Sequence, residues 1–231
     1  VNGTLNILLT AVETRPQLIV HVSSSEVYGT AQYAPMDEEH PTNPHSTYAV
    51  SKLAADRLCY TLFKEHDIPV VIIRPFNTYG PRETHPYIIP EAISQLARTS
   101  SLKLGDIDTS RDFTYVTDVV YGLLLAGERP ELQGEVINLG SGKDIKMRDL
   151  VYLIAKLMGK DDVKIITDPA KYRPYDVKRL IADNRKAKRL LKWEPKVPLE
   201  EGLNQTIAWY LNNGEKWPWE KRYYPGVDRV R

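Results

Sequence analysis

Two short apolar runs constrain this chain more than any other feature: LIVHVS at 18–23 and PVVIIR at 69–74, separated by a helix-length segment. The second is a near-continuous run of β-branched residues, the pattern of a strand covered on both faces in a parallel sheet. Between them, Ser46 or Thr47 can cap a helix predicted over 48–66, which stops at Asp67 before Pro69. Strand, helix, strand is a βαβ unit. In open sheets built from such units, ligands sit outside the carboxyl ends of the strands. There the first run closes in SSSE (23–26), three hydroxyls and a carboxylate in a row. Ser24, Ser25 and Glu26 are therefore candidates for chemistry.

Punctuation and periodicity predict the remaining elements. Helices are expected at 3–14, 88–98, 147–158 with Gly159 as the stop, 184–191 and 199–211. Strands are expected at 102–104, at 112–116 leading into a helix that runs to 127, at 135–140 and at 163–167. The tail from Trp217 onward carries aromatics that can pack on the body, with no readable function. Charges nearly balance, 31 Lys and Arg against 30 Asp and Glu, so no field gathers nucleic acid or anionic lipid. No apolar run is long enough to span a bilayer. A small-molecule partner and a reducing, cytoplasmic setting are expected. The single Cys59 reads as a buried small hydrophobe, and His21, His45 and His85 lack ligand spacing, so no metal is expected.

Twenty-three residues after the last hydroxyl of 23–25 comes the second cluster with chemical content, Tyr48-Ala-Val-Ser-Lys52. Residues four apart share one helix face, and an ammonium beside a phenol favours the phenolate, the state a general base needs. Spacing alone is weak support, because Tyr60/Lys64 and Tyr152/Lys156 repeat the pattern and most such pairs are a solvated helix face. Context separates Tyr48/Lys52: the crossover returns the first turn of its helix toward the strand that ends in Ser24.

The chain resembles the extended short-chain dehydrogenase/reductases, specifically the NAD-dependent nucleotide-sugar epimerase/dehydratase family. GTLNIL (3–8), VHVSSSEVYG (20–29), YAVSK (48–52), RPFNTYGPR (74–82), RDFTYVTD (111–118), INLGSG (137–142) and ADNRKAKRLLKWEPKVPLEEGL (182–203) occur in family order. The fold implied is a Rossmann-like doubly wound parallel α/β sheet, truncated at its N-terminus, with a smaller C-terminal α/β substrate lobe. Its dinucleotide-binding part would comprise 1–80 and 117–146, and the nucleotide-sugar lobe 81–116 and 147–231. Family members open with a Gly-x-x-Gly-x-x-Gly turn that holds the cofactor pyrophosphate at a helix N-terminus; no such turn occurs in these residues. The matching segments set Val1 at the family's fourth helix, which implies preceding sequence about the size of a first mononucleotide-binding half. The 231 residues by themselves are expected to bind NAD poorly or not at all.

By resemblance, Ser24 would hydrogen-bond the C4 hydroxyl of the sugar, Tyr48 would take its proton, and Lys52 would hold the nicotinamide ribose. Ser23 and Pro75 would join Tyr48 and Lys52 in binding NAD. Glu26 would take the C5 proton, with Ser25 at the position where some relatives place an acid for the leaving hydroxyl. Asn77, Arg82, Arg111 and Arg173 would hold the nucleotide diphosphate sugar, with Leu102 and Leu104 flanking the base. For Arg111, an ion pair with Asp108 or Asp112 is the plainer alternative. Glu26 favours a 4,6-dehydratase, a lyase, with UDP-N-acetylglucosamine a candidate substrate. UDP-glucose 4-epimerase and UDP-glucuronate decarboxylase remain alternatives. So does a non-catalytic dimerisation or binding fragment, since the helices matching 3–14 and 48–66 pair in family homodimers.

Overall fold

The computed structural model describes residues 1–83, 87–172 and 175–213, and the chain divides into two compact units. The first gathers Val1–Thr78, Thr109–Ile145 and Arg173–Val197. Its centre is a parallel three-stranded sheet of β1 (Ile19–Val22), β2 (Val70–Pro75) and β6 (Val136–Leu139), ordered β1-β2-β6. The register pairs Ile19 with Val70 and Ile72 with Val136. β2 is the middle strand and covered on both faces, as its apolar run predicts. Alternation along the strand divides its side chains between two cores. Val71 and Ile73 pack with Val119, Ala126 and Leu139 and with Leu191 and Trp193. Val70 and Ile72 pack with Leu8, Ala11, Cys59, Leu62 and Ile68. The latter side is made by α1 (Asn2–Thr14) and α2 (Thr47–His66), the former by α4 (Val116–Gly127) and α6 (Arg185–Leu191).

Local signals account for the boundaries. Ser46 caps α2, its Oγ accepting from the Ala49 amide at 3.1 Å, and the helix ends on Asp67 with a left-handed φ of 54°. A second small sheet orders β3 (Asn77–Tyr79), β5 (Ser110–Tyr115) and β7 (Asp144–Lys146) as β3-β5-β7. β3 and β7, three residues each, lie outside the sequence expectations because so short a strand carries almost no periodicity. β1 stops at Val22, one residue before the LIVHVS run closes at Ser23, and residues 25–28 then wind into a 3₁₀ turn.

The second unit comprises Tyr79–Asp108, Lys146–Tyr172 and Pro198–Arg231. Residues 109–116 and 173–197, grouped with the second lobe on sequence grounds, thus belong to the first unit by their contacts. Here α3 (Ile88–Leu96), α5 (Met147–Leu157) and α7 (Leu199–Asn212) pack together beside a parallel pair of β4 (Ser101–Leu104) and β8 (Lys164–Thr167). Gly159 follows α5 with φ 69°, and the Lys160 amide returns to the Ala155 carbonyl at 2.9 Å, the helix stop that its glycine predicts. No helix of the described residues is long and apolar enough to cross a membrane.

Glu83 lies in the loop before α3. Its Oε2 is buried with no hydrogen-bond partner among the described residues, and burial pushes the carboxyl up from its ordinary 4.5 to about 8. A folded chain that keeps this proton where the unfolded chain has lost it is less stable as pH rises. Stability is therefore expected to fall between about pH 4.5 and about pH 8 through this group. Glu83→Gln, which keeps the shape and cannot ionise, is expected to flatten that slope in urea denaturation measured across the window; equal slopes for both proteins would refute the assignment.

Candidate active site

Lys52 reaches from α2 to the end of β1, where the Ser23–Glu26 run begins. In the first turns of α2, the Tyr48 side chain is 53% exposed. The Lys52 ammonium stands 5.9 Å from the centre of its ring. Lys52 Nζ also donates to the Val22 carbonyl at 2.9 Å. Val22 is the last residue of β1, and the next four are the Ser23–Glu26 run. The Tyr60/Lys64 pair has almost the same local geometry, 5.7 Å from ammonium to ring. What distinguishes Tyr48/Lys52 is the bond back to the sheet.

The hydroxyl run is organised by its own backbone. Ser24, 8% exposed, caps the 3₁₀ turn Ser25–Tyr28 by accepting from the Glu26 amide at 3.2 Å. Ser23 and Ser25 are buried and Glu26 is half-buried. Ser23 Oγ has no hydrogen-bond partner among the described residues, and neither has Asn77 Oδ1. Such buried polar atoms are few in native proteins and each asks for an explanation. Ser23 follows Val22, whose carbonyl accepts from Lys52; an unpartnered hydroxyl and an ammonium with three donors are groups that suit the hydroxyl-rich ribose end of a dinucleotide. Pro75 ends β2. The pyrophosphate cradle is not supplied by these residues.

Arg111, on β5, is buried; its guanidinium donates to the Ser110 carbonyl at 2.9 Å and pairs with Asp176 at 3.3 Å. Neither Asp108 nor Asp112 is the ion-pair partner found: Asp108 takes Arg148 at 3.0 Å. Asp112 accepts instead from the amides of Ser141, Gly142 and Ala182 and from the Ser141 hydroxyl, at 2.6–3.0 Å. Burial pushes its carboxyl upward, and these four bonds oppose the shift. Arg82, Leu102 and Leu104 belong to the second unit. Arg82 is exposed with φ 69°. Leu102 and Leu104 are 0% and 1% exposed, so the expectation that they flank a base is corrected: they face inward from β4 and pack the core. Arg173 lies outside the described residues.

Sequence reasoning missed a buried polar network beneath the site. Arg74, 7% exposed, donates from Nε to Asp56 Oδ2 at 3.0 Å and from Nη1 to the Tyr28 hydroxyl at 2.9 Å. Tyr28 in turn donates to Asn138 Oδ1 at 2.8 Å, and His21 Nε2 lies 3.3 Å from Asp56 Oδ1. Burial pushes the Tyr28 phenol up to about 12, with Arg74 opposing. The available signal was a charge closing the otherwise apolar VVIIR. Among the described residues no cluster of three or more His, Cys, Asp or Glu side chains is placed to hold a metal ion.

Parallel strands crossed by helices, with a tyrosine–lysine pair returned to a strand end, define a Rossmann-type α/β protein. Residues 1–206 match the family described as GDP-mannose 4,6 dehydratase. Human dTDP-D-glucose 4,6-dehydratase is 32% identical over 222 residues, 94% of this chain and 63% of that protein. The crystal structure of dTDP-glucose 4,6-dehydratase from Bacillus anthracis in complex with NAD superposes with a TM-score of 0.84 at 32% identity, over 93% of this chain and 68% of that one. UDP-glucuronic acid 4-epimerase from Bacillus cereus, in complex with UDP-glucuronic acid and NAD, gives a TM-score of 0.84 at 32% identity, over 91% of this chain and 66% of that one. The chain belongs to this NAD-dependent nucleotide-sugar epimerase/dehydratase family, and it spans less than two thirds of the human relative's length.

The turn that carries Glu26 depends on Gly29. Its φ of 68° and ψ of −155° fall in a region that only glycine occupies comfortably. A Cβ there would stand 2.0 Å from the Asn43 carbonyl oxygen. Gly29→Ala is expected to lower unfolding free energy by about 2–4 kcal/mol, read as a lower urea midpoint at unchanged slope. A midpoint equal to wild type would contradict the packing described.

Proposed function

We propose that, in a chain of its relatives' full length, this site performs NAD-dependent 4,6-dehydration of a nucleotide hexose. The single observation that carries the reading is the Lys52–Val22 bond, which ties the helix of Tyr48 and Lys52 to the strand that runs on into Ser24 and Glu26. The reading rests also on likeness to solved relatives that hold NAD. When bound, NAD would accept hydride from sugar C4 and later deliver it to C6. Tyr48 would take the C4 hydroxyl proton, with Ser24 Oγ hydrogen-bonding that hydroxyl and Lys52 holding the ribose.

A C4 ketone acidifies the C5 proton, and Glu26 would take it from there. Loss of the C6 hydroxyl as water then leaves a 4-keto-6-deoxy sugar once C5 regains a proton from solvent. Ser25, buried and next to Glu26 in the chain, would hold the leaving hydroxyl. Arg111 and Asn77 would bind the diphosphate, a task suited to a planar charged fork, with Arg82 and Arg173 as further contacts. Glu26 favours dehydration over C4 epimerisation, which needs Ser24, Tyr48 and Lys52 but no base for C5; it does not separate dehydration from decarboxylation.

A second reading, UDP-sugar 4-epimerase or UDP-glucuronate decarboxylase, draws on the equal structural likeness to the 4-epimerase. Product analysis after incubation with NAD and UDP-N-acetylglucosamine, dTDP-glucose, GDP-mannose or UDP-glucuronate separates the outcomes. Loss of one water supports dehydration; an inverted hexose of unchanged mass or loss of carbon dioxide overturns it. No turnover, with the sugars bound, would favour a binding role. Tyr48→Phe and Glu26→Gln are each expected to lower turnover by about 10²–10⁴-fold, and full dehydration by Glu26→Gln would refute its role.

A further inference from the structure

We propose that Arg74 is a positioning residue that sets the Glu26 turn in register with the Tyr48/Lys52 helix; the inference rests on the dehydratase reading above and adds a role that reading does not contain. Tyr48, Lys52 and Asp56 are spaced by four along α2 and so share one face. Asp56 is buried and holds Arg74 Nε at 3.0 Å. The other arm of the same guanidinium holds the Tyr28 hydroxyl at 2.9 Å, and its centre lies 4.8 Å over the Tyr28 ring. Tyr28 is the last residue of the 3₁₀ turn that begins at the Ser24 cap and carries Glu26. One buried cation therefore touches both elements that present the acid–base groups. His21, beside Asp56 at 3.3 Å, precedes Val22, whose carbonyl receives Lys52.

Energetics favour a directional role over a stabilising one. Withdrawing a guanidinium and a carboxylate from water costs several kcal/mol per ion, and well-packed apolar residues of similar volume often serve stability as well or better. Apolar packing does not fix orientation at a single angle. Arg74 does, because its planar fork meets Asp56 with one nitrogen and Tyr28 with another. Asn138 Oδ1, 2.8 Å from the Tyr28 hydroxyl, anchors the far side of that hydroxyl to β6. A shift of about 1 Å between proton-transfer groups can cost about 10²-fold.

The two half-reactions provide a readout that a merely structural residue would not move. C4 oxidation uses Tyr48 and Lys52 on α2 with Ser24 at the cap of the turn, and C5 proton removal uses Glu26 within the turn. With the full-length protein loaded with NAD and a turned-over nucleotide hexose, C4 oxidation is followed by absorbance of reduced cofactor in single turnover, and C5 proton removal by deuterium uptake from D2O. For Tyr28→Phe and Arg74→Lys, C5 exchange is expected to fall about tenfold or more relative to C4 oxidation, with KM for the sugar within about twofold. Equal loss in both steps, or loss in neither, would overturn the proposal. Glu26→Gln run in parallel isolates the parent reading: if it leaves C5 exchange intact, the assignment of Glu26 fails instead. Amide hydrogen exchange then judges the network by itself. In Tyr28→Phe, amides 25–28 are expected to exchange about tenfold faster than in wild type, and unchanged protection there would sink the positioning role whatever the chemistry.

Discussion

Parallel pairing of β1 with β2 is the constraint from which the rest follows. Two strands running the same way cannot be joined by a tight turn, so the chain must return over the sheet, and here it returns as α2. The return puts the start of the helix near the carboxyl end of β1. Val22 ends that strand, and its carbonyl accepts from Lys52, which reaches it from the helix. Burial of β2 on both faces secures the arrangement, because its alternate side chains anchor helices on opposite sides: Ile72 toward α1 and α2, Ile73 toward α4 and α6. A slip of one residue would exchange these two sets.

Much of this was legible because each signal is local. The apolar runs, the Ser46 cap, the left-handed Asp67 and the glycine after α5 act within a few residues of themselves, and the elements fall close to where those residues place them. The turn at 25–28 was not legible, since four residues wound around one serine cap have no period to detect. Partners distant in the chain were equally hidden. Arg111 has acidic neighbours in sequence, yet its carboxylate comes from Asp176, 65 positions on. Asp112 meets amides 29 to 70 positions away. Leu102 and Leu104 show the opposite failure, in which a family likeness supplied a role while the pleat of β4 turns both side chains inward.

The three tyrosine–lysine pairs make the same point within one motif. Helical spacing brings Lys64 to Tyr60 as closely as Lys52 to Tyr48. Spacing on a helix is a statement about the helix alone. Only the tertiary bond from Lys52 to β1 gives one pair a relation to other functional groups, and the crossover that creates the bond is readable only from the strands flanking the helix.

Satisfied and unsatisfied polar groups also separate by place. Asp112, fully buried, is saturated by three amides and a hydroxyl. Asn138 is saturated too: its amide donates to Glu38 Oε1 at 2.8 Å, its side-chain nitrogen to the Met36 carbonyl at 3.2 Å, and its oxygen accepts from Tyr28. These groups tie distant segments together, and leaving any one bare would cost about 1–3 kcal/mol. Ser23 Oγ and Asn77 Oδ1 carry that cost uncompensated among the described residues. Both follow the carboxyl end of a strand, Ser23 after β1 and Asn77 after β2, where open parallel sheets receive ligands. On the proposed reading, that desolvation is offset when cofactor and sugar arrive, so binding completes hydrogen bonds that folding alone leaves open.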